Sequence, residues 1–81
     1  MPKTRVDLPD WIVEALKELN GIAQIKKVRD RIWDNHGPEI VASGNFHFTW
    51  QEDIFWAATQ LRAKGILKKA SATSKNVWSL A

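Results

Sequence analysis

Apolar residues recur with helical spacing three times along this chain. Ile12, Ala15, Leu16 and Leu19 stand at i, i+3, i+4 and i+7, one stripe of a first helix. Pro9 and Asp10 mark its start, because proline loses nothing in a first turn and an acid there complements the helix dipole. Asn20-Gly21 marks its end. Ile22-Ala23 leaves room for a bridge strand of one or two residues. A second helix is expected over residues 24–35, with Ile25, Val28 and Ile32 inward and Trp33 closing the core edge. Lys26, Lys27, Asp30, Arg31 and Asp34 face water. Gly37-Pro38 is its expected end, since proline biases the preceding residue away from helix.

Residues 39–48 read as a long connection: one helical turn around Ile40-Val41-Ala42, a reversal at Ser43-Gly44-Asn45, then an alternating Phe46-His47-Phe48 anchored on one face. Thr49-Trp50-Gln51-Glu52 has the form of a capping box and opens a third helix. Trp50, Ile54, Ala57, Ala58 and Leu61 form its inner stripe, and Gly65 supplies a left-handed stop after Lys64. Beyond it the period changes to two. Residues 66–69 read as a strand, 70–74 as a small-residue turn and 76–80 as a returning strand. Val77 and Ser79 face one way, Trp78 and Leu80 the other.

The first eight residues lack periodicity and are expected to be a flexible arm before one domain, 9–81. Helix, bridge, helix, loop, helix, hairpin is the order of a winged helix, an α+β fold. Its two-stranded C-terminal wing covers the third helix through Ile66, Trp78 and Leu80. A three-helix bundle with a frayed tail leaves the alternation of the tail unexplained.

Composition narrows the function classes. Five Trp and three Phe give a short chain bulky packing units, and the absence of Cys excludes disulfides and thiolate metal sites. No apolar run is long enough to span a bilayer, so a soluble cytoplasmic protein without a membrane partner is expected. The net charge of +3 is unevenly spread. Residues 1–53 carry seven Lys/Arg and nine Asp/Glu, whereas residues 54–81 carry Arg62, Lys64, Lys68, Lys69 and Lys75 and no acid. A cationic third on such a fold is the footprint of a polyanion-binding surface. A Lys-rich edge that discourages strand pairing is the plainer alternative.

The segments Thr49-Trp50-Gln51-Glu52-Asp53-Ile54, Trp56-Ala57, Leu61-Arg62, Lys64-Gly65-Ile66-Leu67 and Val77-Trp78-Ser79-Leu80 resemble the N-terminal winged-helix domain of Mrr-type restriction endonucleases. The likeness is good over the last third, loose over the first helix and poor over residues 39–48. It departs at Lys75-Asn76, where a Gly would be expected. It implies recognition of duplex, including modified, DNA rather than cleavage, a nucleoid-associated location, and a fused or partner nuclease.

In a winged helix the third helix enters the major groove and the wing meets the backbone. Opposite the inner stripe lie Glu52, Phe55, Thr59 and Ala63, flanked by Gln51, Trp56, Gln60 and Arg62, with Gln51 and Gln60 suited to adenine edges and Arg62 to guanine or phosphate. Thr49 and Gln51 lie where a helix N-terminus favours anions. Lys68, Lys69, Ser71, Thr73, Ser74 and Lys75 of the wing suit phosphates. Lys26, Lys27, Arg29 and Arg31 form a second basic cluster, interleaved with acids. Trp56 is expected in the core, and Phe55 against Phe46 and Phe48. Glu52 and Asp53 work against phosphate at the start of the helix. Exposed aromatic residues also allow a second class of function, a protein-interaction or homodimerisation module. No cofactor motif is present; Asp34, His36, Glu39 and His47 match no metal-ligand spacing, and nothing pairs a nucleophile with a base, so no catalytic role is expected.

Overall fold

The computed structural model describes residues 3–69 and 76–81. Three helices and a two-stranded antiparallel sheet make an α+β fold: α1 (Leu8–Glu18), β1 (Ile22–Gln24), α2 (Ile25–Val41), α3 (Phe46–Ala63) and β2 (Val77–Ser79). The core runs between the helices through Leu8, Ile12, Leu16, Ile32, Ile40 and Ile54, with Leu67 and Trp78 closing the sheet end.

Two helix ends follow the chemistry of their residues. At the end of α1, Asn20 and Gly21 take positive φ, and the N–H of Gly21 donates to the carbonyl of Leu16 at 2.6 Å. At the end of α3, Gly65 (φ 76°) lets the N–H of Ile66 donate to the carbonyl of Leu61 at 2.9 Å. Both close the last turn by bonding orphan carbonyls, as a Schellman motif does.

Other ends differ from the sequence reading. Gly37-Pro38 does not stop the second helix, which continues to Val41. Proline sacrifices one backbone bond, but burial of Ile40 and the packing of Gly37 under the Trp33 ring hold the helix together. The expected ten-residue connection therefore shrinks to residues 42–45. Phe46-His47-Phe48 is helical rather than alternating: Phe46 is buried, and Phe48 is 81% exposed. The Thr49 capping box does not form, because Thr49 lies inside α3 and its hydroxyl donates to Asp53 Oδ2 at 2.8 Å. A capping box does occur at Thr4 and Asp7, around the short 3₁₀ turn Arg5–Asp7. Part of the segment expected as an arm is thus structured. The Lys3 N–H donates to Ser43 Oγ at 2.8 Å, and Leu8 is fully buried at the start of α1.

The sheet also pairs differently from the expected hairpin. β2 pairs with β1, in the register Ile22–Ser79, Ala23–Trp78 and Gln24–Val77, so the bridge strand is three residues long. Residues 66–68 reach the other edge of β2 through a single bridge, Leu67–Leu80, and a bond from the Lys68 N–H to the Ser79 carbonyl at 2.9 Å. Trp78 is buried as its alternation predicts. Leu67 takes the inward place expected of Ile66, which is 39% exposed. The cause is the tight cap at Gly65, which turns Ile66 outward.

Candidate functional site

β1 leads without a loop into α2, and this joint places the first turn of α2 beside the start of β2. The Ile25 N–H donates to the Asn76 carbonyl at 2.9 Å. Lys26 and Lys27, both exposed, follow at once. The first turn of α2 has no acid and no side-chain cap. The first-turn N–H groups beyond Ile25, with Lys26 and Lys27 in the same turn, create a local preference for anions. On the other edge of β2, the Lys68–Ser79 bond holds the exposed Lys68 and Lys69. Cations from two distant segments thus flank one short strand. Among the described residues, none of these four lysines makes an ion pair.

On the Lys26 side a groove of about 440 Å³ is lined by Gln24, Ile25, Lys26, Phe55 and Asn76. Phe55 is 51% exposed and meets Trp78 edge-on, with ring centroids 6.0 Å apart. It does not pack on Phe46 and Phe48 as expected, because the helical start of α3 carries those residues elsewhere. Thr59, one turn on, is exposed, and its hydroxyl donates to the Phe55 carbonyl at 3.0 Å. Lys26, Phe55 and Lys68 are therefore brought to one end of the molecule.

The remaining expected residues divide. Thr49 and Gln51 are exposed near the start of α3, but Thr49 is bound to Asp53 and lies a turn inside the helix, so it does not offer a helix N-terminus. Gln51 lines a second cleft with Arg29, Asp30, Trp33, His47 and Trp50. Gln60 is half-buried. Arg62 is half-buried too, and its Nε is shut away without a hydrogen-bond partner among the described residues. Ser71, Thr73, Ser74 and Lys75 lie outside the described residues. Trp56 is half-buried against the core with the Arg5 guanidinium 4.7 Å above its ring. Trp33 is 41% exposed rather than closing the core edge.

The opposite side of the molecule is a closed polar network. His36 stacks on Trp11 with centroids 4.1 Å apart and the rings 8° from parallel. Its Nε2 lies 2.8 Å from Glu14 and its Nδ1 3.0 Å from Glu39, and only the doubly protonated ring donates to both. Asn35 donates to Glu14 and Glu18, while Arg31 pairs with Glu18 and Lys3 with Glu39. The Glu39 carboxyl is held below its ordinary range first by the His36 hydrogen bond. Desolvation opposes this, and the charges of His36 and Lys3 reinforce it. No sequence period announces this cluster: Glu14, His36 and Glu39 meet only because α2 runs past Pro38 beside α1.

No family model, curated protein or solved structure matches this chain.

Proposed function

We propose that this chain is a DNA-binding winged-helix domain that takes duplex phosphates around β2 and lays the outer face of α3 beside them. The observation that carries the reading is the gathering of Lys26, Lys27, Lys68 and Lys69 on both flanks of one strand, with no ion pair of their own among the described residues. Unpaired surface cations held on separate, fixed elements match the spaced charge of a nucleic-acid backbone. The three helices, the β1–β2 pairing and the Leu67–Leu80 bridge after α3 support a winged-helix reading, and the likeness of residues 49–80 to Mrr-type domains points the same way. In this reading the wing and its neighbours supply affinity. Thr59 and Phe55 lie nearest the base edges, and Glu52 keeps the start of α3 away from phosphates. Binding carries no chemistry: the domain recognises DNA and does not cut it.

Fluorescence anisotropy with a labelled duplex at two salt concentrations tests the reading. Affinity is expected in the micromolar range or weaker, falling as salt rises, and lower again in Lys68→Ala/Lys69→Ala. Binding indifferent to both changes rejects it.

A second reading has its own observation. Phe48 is 81% exposed and Phe55 51%, on one helix. Aromatic residues left this open suit a protein partner or a second copy of the chain. Sedimentation at rising concentration separates the readings, since a strict monomer that binds duplex DNA has no use for a dimer face.

A further inference from the structure

The cleft between α2 and the start of α3 has a volume of about 240 Å³ and is lined by Arg29, Asp30 and Trp33 from one helix and His47, Trp50 and Gln51 from the other. Within this lining Trp33 is near-parallel to Trp50 (5.8 Å, 13°) and to His47 (6.1 Å, 17°). Trp50 is buried and fixes the platform, whereas Trp33 stays 41% exposed, which forfeits part of what a tryptophan gains by burial. Around it stand a guanidinium, a carboxylate and a carboxamide. Among the described residues, Arg29, Asp30 and Gln51 make no ion pair and no side-chain hydrogen bond.

This lining discriminates between guests. A quaternary ammonium suits the rings and Asp30 but is repelled by Arg29. A bare anion suits Arg29 but is repelled by Asp30 and gains nothing from the rings. A wholly apolar guest strips water from three polar groups and returns no hydrogen bond. A nucleobase on its sugar phosphate satisfies every wall. Its π face finds the exposed part of the Trp33 indole, its edge offers donors and acceptors to Asp30 and Gln51, and its phosphate suits Arg29. Gly37 packs against the Trp33 ring and Trp50 and His47 lie near-parallel to it, so the base does not enter between rings and meets the part of the indole that stays exposed.

We propose that the α2–α3 cleft binds an unpaired nucleobase, from a single strand or from a nucleotide unstacked out of a duplex. The source of that nucleotide rests on the DNA-binding reading; the cleft itself does not. The test compares three labelled probes on the full chain: a paired duplex, the same duplex with one bulged base, and a short single strand. Affinity is read by anisotropy, and occupancy of the cleft by the indole N–H resonance of Trp33.

The bulged duplex is expected to bind about tenfold tighter than the paired one and to shift the Trp33 indole. Trp33→Ala is expected to erase that preference. Because Trp33 also packs on Trp50, the exposed variants Gln51→Ala and Asp30→Ala provide a check that does not disturb the core, and each is expected to reduce the preference. Equal binding of paired and bulged duplexes with an unmoved Trp33 indole overturns the inference and leaves duplex binding standing. Single-strand binding that shifts Trp33, with the paired duplex ignored, upholds the cleft and removes the duplex reading. Failure of all three probes overturns both.

Discussion

Glu14, Glu18 and Glu39 each meet a cation or an imidazole across the α1–α2 side, whereas Lys26, Lys27, Lys68 and Lys69 around β2 meet no acid among the described residues. The two regions use charge for different ends. On the first, acids and bases from separate elements are spent on one another, and their contact ties the N-terminal turn, α1 and α2 together. On the second, the backbone does the tying, through the β1–β2 ladder and the Lys68–Ser79 bond, and the cations are left over. The satisfied charge ties elements together; the unsatisfied lysines are the ones on which the proposed DNA-binding reading rests.

The comparison breaks first, and most heavily, at Trp78. This side chain is buried, anchors β2 on α3 and touches Phe55. Trp78→Ala is expected to cost about 3–5 kcal/mol in urea denaturation, the usual range for emptying a buried aromatic site. The lysine-flanked surface should dissolve with it. Next in size, replacing Lys26, Lys27, Lys68 and Lys69 together by Ala should lower duplex affinity by about tenfold or more and flatten its salt dependence. Stability should move by less than about 0.5 kcal/mol per site, as for ordinary surface changes.

On the other side the pattern reverses. His36→Ala removes the Trp11 stack and is expected to cost about 1 kcal/mol, with duplex affinity unchanged. It should also alter the acid limb of stability. The Glu39 carboxyl is depressed in the folded chain, so its contact with His36 stabilises the fold above the ordinary glutamate value of about 4.3. That contribution fades as pH falls through the lower folded value, and the variant should lose less stability than the parent on acidification. The smallest effect is expected at Gly37. A methyl there would stand 3.5 Å from the Trp33 ring, ordinary contact distance, in the middle of a helix. Because Pro38 follows and its ring crowds the Cβ of a helical predecessor, the entropy gained by losing a glycine is offset, and Gly37→Ala should move thermal stability by less than about 0.5 kcal/mol.

The contrast between the regions also explains what was legible in the chain. Stripes with a clear period, such as Ile12-Ala15-Leu16 and Ile54-Ala57-Ala58-Leu61, place the helices, and Asn20-Gly21 and Gly65 end two of them, because those features act locally. Gly37-Pro38 misleads because the local cost of a proline is outweighed by burial of Ile40 on the next turn, a tertiary effect. Thr49 misleads in a similar way. The buried Phe46 draws α3 back four residues, from an expected cap at Thr49 to Asn45, and the Thr49 hydroxyl instead bonds within the helix. Lys68 and Lys69 are visible in the charge asymmetry of the sequence. Lys26 and Lys27 look like a solvated face until β1, three residues long, sets them beside β2. The His36–Trp11 stack and the Trp33 cleft join residues from different helices, so no spacing along one helix reveals them.

Amide shift mapping of the whole chain with a short duplex tests the central claim most directly, because it reports both regions in one experiment. The account predicts perturbations at Lys26, Lys27, Lys68, Lys69 and residues 76–79, fading as salt is added, with Glu14, Glu18 and His36 silent. Perturbations centred on α1 and His36, or a spectrum that does not change with DNA, would contradict it.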